Sequence, residues 1–123
     1  MLTKLQWKRR ITNCAIEAGT YREYFDYVID TLAGIMEARD FAEKKWIEDG
    51  KETVVEHTNK NGATNLVKHP ALVVINEMNR DALAYWRDLG LTPAGLKKIN
   101  EEAMAAGKKD QETFADVLKS IGV

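Results

Sequence analysis

The stretch that decides the fold is "YREYFDYVIDTLAGIMEARDFAEKKWIED", residues 21–49. It contains no proline, and its only glycine is Gly34. Its apolar residues recur at spacings of three, four and seven, which is typical of an amphipathic helix. These residues are Tyr21, Phe25, Val28, Leu32, Ile35, Ala42 and Trp46. Such a helix would be more than about 40 Å long, so we expect it to bend near Gly34 or to pack lengthwise against helices outside its own chain.

The apolar face of this long helix is a candidate interface between subunits. Ile29 and Met36 widen the face beyond the narrow seam of a coiled coil, which favours a bundle or a subunit interface. The candidate interface residues are Tyr21, Phe25, Val28, Leu32, Ile35 and Trp46.

The sequence before the long helix predicts a shorter one over residues 3–17, with Thr3 as its N-cap and Gly19 at its end. Thr20 is then predicted to cap the long helix, because Glu23 follows three residues later as in a capping box.

After the long helix, the spacing of the apolar residues no longer follows the helical period. "ETVVEH" (52–57) and "TNLVKH" (64–69) flank Asn61-Gly62, a pair that tight hairpins prefer because both residues tolerate positive φ. We therefore predict a short β-hairpin over about residues 52–68. Two isolated strands are marginally stable, so the hairpin should lean on a helix or on a neighbouring subunit.

Two further helices are predicted around a glycine corner. Pro70 opens the third helix after His69, and Gly90 ends it. Thr92-Pro93 begins the fourth helix, with threonine as the cap and proline in the first turn.

The fourth helix is predicted to stop near residue 106, because Gly107-Lys108-Lys109 resembles a break. This divides the chain into a helical core, residues 1–106, and a linker with a tail helix, residues 107–123. The fold class is therefore mainly α, with one long helix and a short hairpin.

Bulk composition narrows the function classes. With 18 Lys and Arg against 19 Asp and Glu, net charge indicates no basic surface for nucleic acid. The single cysteine, Cys14, excludes an intramolecular disulfide and suits a reducing compartment; we expect it to be buried on the inner face of the first helix. The longest apolar run, residues 71–75, is far too short to span a membrane, and no signal core follows the basic N-terminus. We expect a cytosolic protein.

No pattern of catalytic or cofactor-binding residues is visible. The sequence has no glycine-rich phosphate loop, and His57 and His69 lie twelve residues apart without a cysteine cluster. The carboxylates alternate with lysines, as on a solvated surface. We expect no catalytic site, no metal and no cofactor.

The sequence contains three basic clusters: on the first helix, after the glycine corner, and at Lys108-Lys109 in the predicted linker. The first two are our candidate contacts for DNA. The candidate residues are Lys4, Lys8, Arg9, Arg10, Lys97 and Lys98. One copy would bind weakly, because affinity for phosphates grows with the number of charges neutralised, whereas a symmetric assembly would multiply the contacts.

The corner "LGLTPAGLKKI", residues 89–99, has two interpretations. A helix-turn-helix reader would place the first residues of its second helix on base edges. Here those residues are small and apolar, not the arginine, asparagine or glutamine that usually contact bases. An interhelical corner is favoured, and a dimeric helix-turn-helix regulator is the alternative.

Residues 68–99, "KHPALVVINEMNRDALAYWRDLGLTPAGLKKI", resemble the signature of a family of tailed-phage terminase small subunits. In that family an Asn-Pro-Ala helix start leads to a Leu-Gly-Leu-Thr-Pro corner. Pro70, Ala71, Asn76 and residues 89–93 match. His69 stands where asparagine is usual, and the serine and arginine common after the corner are missing. The similar arrangement extends over about residues 21–99.

The resemblance implies a non-enzymatic component of a genome-packaging motor. Such proteins assemble into rings, bind viral double-stranded DNA in the host cytoplasm, and deliver it to a large subunit that carries ATPase and nuclease. The amphipathic tail is our candidate for docking the large subunit or a neighbouring protomer. Its residues are Phe114, Val117, Leu118 and Ile121. A scaffolding protein that binds no nucleic acid is a third possibility.

Overall fold

The computed structural model describes the backbone of residues 1–120 and the side chains of residues 1–106, 118 and 119. This part of the chain is mainly helical with one antiparallel hairpin, as predicted. The elements are α1 (Lys4–Ala18), a 3-10 turn (Glu23–Phe25), α2 (Asp26–Glu48), β1 (Val54–Thr58), β2 (Thr64–Lys68), α3 (Pro70–Asp88) and α4 (Pro93–Ser120). None of the described helices has the length and apolar character needed to cross a membrane.

The central helix is α2, against which both α1 and α3 pack. Its buried residues face the two neighbours, so the predicted apolar stripe closes a core within one chain. The buried core consists of Ile11, Ile29, Leu32, Ala33, Met36, Ala82 and Leu89.

The predicted boundaries of α1 are confirmed to within one residue. The Thr3 hydroxyl accepts a hydrogen bond from the amide of Gln6, and the Gln6 side chain accepts one from the amide of Thr3. The prediction for Cys14 is wrong, because this residue is exposed. Helix α1 packs along a narrow stripe with a spacing of four, formed by Trp7, Ile11 and Ala15, and Cys14 lies outside it.

The predicted start of α2 is also wrong. The helix begins at Asp26, after the 3-10 turn, and has 23 residues. Thr20 does not cap it: this buried residue donates its hydroxyl hydrogen bond to the carbonyl of Leu89, at 2.7 Å. A contact 69 residues away therefore decides the role of Thr20.

The hairpin lies where it was predicted, and Val54 pairs with Lys68 while Thr58 pairs with Thr64. Its turn differs from the prediction, because only Gly62 has positive φ, at 81°, and Asn61 does not. Five residues, 59–63, connect the strands, so the chain forms a longer loop instead of the two-residue turn.

Helix α4 runs through Gly107, Lys108 and Lys109 without the predicted break. One glycine inside a helix costs about 1 kcal/mol, and lysine is a good helix former, so the helix continues. Residues 101–106 are all exposed, which shows that α4 leaves the body of the protein after its first turns. The division into a core of residues 1–106 and a tail of residues 107–123 stays a prediction.

Candidate nucleic-acid and assembly surfaces

The basic residues of the cluster on α1 have two different environments. The Lys4 ammonium lies 3.1 Å from Asp30, and the Lys8 ammonium lies 3.1 Å from Asp26 and 3.7 Å from Asp30. The bond to Asp26 raises the pKa of Lys8, and the bond from Lys4 lowers the pKa of Asp30. These two lysines therefore clamp α1 onto α2 and are partly neutralised within the chain.

Arg9 and Arg10 are the other half of the cluster. Both are exposed, and among the described side chains no carboxylate lies within 4.0 Å of either guanidinium. Arg9 borders a shallow groove of about 450 Å³ together with Leu5 and Asn13. These two arginines are the members of the cluster that can reach a phosphate without breaking an internal ion pair.

Lys97 and Lys98 lie on the first half of α4, a helix that packs against α3. The Lys97 ammonium is 3.9 Å from Glu101, a weak pair on an exposed surface. Lys98 lines a groove of about 410 Å³ that also contains Arg87 and two carboxylates, Asp88 and Glu102. The mixed charge makes this cluster a weaker anion site than the arginines of α1.

The corner between α3 and α4 is a tight junction. Gly90 has φ of 71°, and Leu91 donates its amide to the Trp86 carbonyl at 2.8 Å. Thr92 caps α4 by accepting from the amide of Gly95 at 3.0 Å. Gly95 is buried against the main chain of α3. The first turn of α4 thus packs against α3, which supports an interhelical corner over a helix-turn-helix reader.

His69 caps the start of α3. Its Nδ1 accepts a hydrogen bond from the amide of Ala71 at 3.0 Å, so Nε2 carries the proton and donates to Asp49 at 2.9 Å. This bond is the main reason that the pKa of Asp49 is lowered. The imidazole nitrogen therefore performs the capping usually done by an oxygen acceptor.

The predicted interface residues of α2 mostly serve the chain's own core. Leu32 is fully buried inside the protomer and cannot contact a second copy. Tyr21, Phe25, Val28 and Ile35 are half-buried and pack against the same core. Trp46 is half-buried, and its indole donates to the carbonyl of Glu52 at 2.9 Å. A role for these five residues in assembly stays a prediction.

The opposite side of α2 carries two exposed aromatic residues, Tyr27 and Phe41, that were not predicted from the sequence. We call residues 27, 31, 38 and 41 the outer face of α2; they share one side of the helix and none of them is charged. Tyr27 is 85% exposed and Phe41 is 56% exposed. The helical spacing of these two residues can be read from the sequence, but the prediction followed the larger apolar stripe on the buried side of α2.

A comparison with family models matches residues 3–106 to the family described as "Phage terminase, small subunit". The chain belongs to this family. The match covers α1, α2, the hairpin, α3 and the first half of α4. Neither the curated proteins nor the solved structures contain a match. Membership in the terminase small-subunit family supports a role in phage genome packaging.

The tail of this terminase small subunit lies beyond the matched residues. Phe114 and Val117 lie within α4, but their side chains are outside the described residues, as is the whole of Ile121. Leu118 is half-buried. Docking by the tail therefore stays a prediction.

Proposed function

We propose that this terminase small subunit is a non-catalytic component of the phage packaging motor. It binds viral double-stranded DNA, assembles into a ring, and delivers the DNA to the large ATPase–nuclease subunit in the host cytoplasm. Family membership supports the packaging role. The exposed aromatic residues on the outer face of α2 are the observation that supports assembly into a ring.

The outer face of α2 is suited to contact with another subunit. Aromatic side chains are enriched in protein interfaces, and exposed apolar side chains commonly mark such interfaces. A ring requires two different patches that meet, because a patch that pairs with itself closes a dimer. Ile16 on α1 is 55% exposed and is our candidate for a second, different contact.

DNA binding is assigned first to Arg9 and Arg10, with Lys97 and Lys98 as further candidates. A few cations per chain give weak affinity, but copies arranged around one duplex add their phosphate contacts. Lys4 and Lys8 contribute through the position of α1, because they bind Asp26 and Asp30.

Contact with the large subunit is assigned to the far end of α4. Residues 101–106 lack contacts that bury them, and a helix without tertiary packing is marginally stable in water. A partner that covers Phe114, Val117, Leu118 and Ile121 would stabilise this end.

The assembly is tested by the substitution Phe41→Glu. Light scattering should give a discrete oligomer for the unmodified chain and a shift toward the monomer for the variant, because a carboxylate would be buried without a partner. Leu83→Glu is the matched control, since Leu83 is 46% exposed on α3, and it should leave the oligomer intact. If Phe41→Glu left the mass unchanged, the interface would lie elsewhere.

The DNA surface is tested by replacing Arg9 and Arg10 with alanine. Binding to a duplex should weaken, and the dependence of log affinity on log salt should flatten by about 0.9 for each phosphate that is no longer neutralised. Unchanged affinity and unchanged slope would place the DNA surface away from α1.

A further inference from the structure

The hairpin formed by β1 and β2 projects from the helical body. Every residue from 56 to 68 is exposed, and Val55, near the base, is the one half-buried residue of the two strands. The apolar residues Val54 and Val67 lie near the base and Leu66 lies on the middle rung, whereas the tip, residues 58–64, has alanine as its single apolar side chain. The base therefore suits contact with protein, and the tip suits a polar partner.

The tip is held in one conformation although it contacts no helix that would bury it. The Asn59 side-chain oxygen accepts from the amides of Asn61 and Ala63, each at 3.0 Å. The Asn59 amide donates to the Ala63 carbonyl at 2.9 Å, and the Gly62 amide donates to the Asn59 carbonyl at 3.1 Å. An ordered loop loses less conformational entropy when it binds a partner, so this tip is preorganised for recognition.

The charge of the tip has one sign. Residues 58–64 contain Lys60 and no aspartate or glutamate, and Glu56 is the acidic residue of the two strands. Among the described side chains, no carboxylate lies within 4.0 Å of the Lys60 ammonium, in contrast to the paired lysines of α1. Asn61 lies next to Lys60, and its side chain takes no part in the bonds that hold the loop. Lysine is a common phosphate contact and asparagine a common contact to adenine.

We propose that the hairpin tip inserts into a groove of double-stranded DNA, with Lys60 on a phosphate and Asn61 on a base edge. A two-stranded ribbon fits the major groove, which is about 12 Å wide and about 8.5 Å deep. Strands of five residues extend about 17 Å, so the tip reaches the groove floor while the apolar base stays outside. The inference rests on the proposed function, because it names a contact for the DNA that the assembly binds.

The test measures binding of the full chain to a fluorescent duplex of about 60 base pairs over a range of salt concentrations. For each subunit whose Lys60 contacts a phosphate, Lys60→Ala should lower affinity about eightfold at about 0.1 M salt and reduce the salt slope by about 0.9, because that phosphate is no longer neutralised. Asn61→Ala should lower affinity with little change in slope. Both variants keep the loop, because its bonds use the Asn59 side chain and main-chain atoms.

Lys44→Ala is the matched control for the removal of one charge. Lys44 is 61% exposed, and its ammonium lies 4.0 Å from Glu48, so this variant should bind like the unmodified chain. If the unmodified chain binds and Lys60→Ala binds equally well, the hairpin inference is overturned while the proposed function stands. If the unmodified chain fails to bind the duplex at low salt, both fail. A changed oligomer mass for Lys60→Ala would assign the tip to a protein contact and also overturn the inference.

Discussion

Gly95 is the position where one added methyl group should disturb the fold most directly. A Cβ there would overlap the carbonyl oxygen of Arg87 and lie 3.0 Å from the Thr92 hydroxyl oxygen. The overlapped atom belongs to the main chain of α3, which cannot rotate away as a side chain can. The substitution Gly95→Ala must therefore push the first turn of α4 off the end of α3.

The expected loss of stability follows from two opposing contributions. Overpacking of this severity lowers the free energy of unfolding by about 3 kcal/mol. The higher helix propensity of alanine raises it by about 1 kcal/mol. The net loss is about 2 kcal/mol, which for a chain of this size corresponds to a fall in Tm of about 8 °C.

Gly34→Ala is the matched control, because it makes the same change inside α2. A Cβ at Gly34 would lie 3.6 Å from the Lys4 Cε, an ordinary contact, so this variant should gain about 0.5–1 kcal/mol. Thermal unfolding followed by circular dichroism should be compared at one protein concentration, since assembly makes Tm depend on concentration. Equal Tm values for the two variants would refute the close packing of the corner.

Two further substitutions test single hydrogen bonds. Thr20→Val keeps the shape of the side chain but leaves the Leu89 carbonyl without its buried donor, so urea unfolding should show a loss of about 1–2 kcal/mol; an unchanged midpoint would mean that the bond contributes nothing. Asp49→Asn tests the bond to His69. Because the fold lowers the pKa of Asp49, its stabilisation is present above the unfolded value of about 3.9 and is lost as pH falls through the lower folded value. The variant should show a flatter dependence of stability on pH in that acidic range, and identical curves would contradict the assignment.

The elements that depend on neighbouring residues could be predicted from the sequence. Thr3 caps α1 and Gly90 ends α3, as expected, because a cap or a left-handed glycine is determined within a few residues of chain. The hairpin position also follows from local pattern, and the family match confirms the resemblance.

The features that depend on distant contacts could not be predicted in the same way. Thr20 matched a capping box, but the end of α3 takes its hydroxyl. The break expected at Gly107 failed for a local reason, because flanking helix formers outweigh one glycine. The pairing of Lys4 and Lys8 with carboxylates of α2 depends on which face α1 presents to α2. Sequence alone places Lys4 and Lys8 on one face of α1, but it does not show that this face packs against α2.

The most direct test of an assembly that binds DNA is the mass of the unmodified chain, measured by light scattering at micromolar concentration with and without a duplex of about 100 base pairs. The proposed function predicts one discrete species at a multiple of 13.9 kDa that gains the mass of the duplex when DNA is added. A species of 13.9 kDa that the duplex leaves unchanged would contradict it.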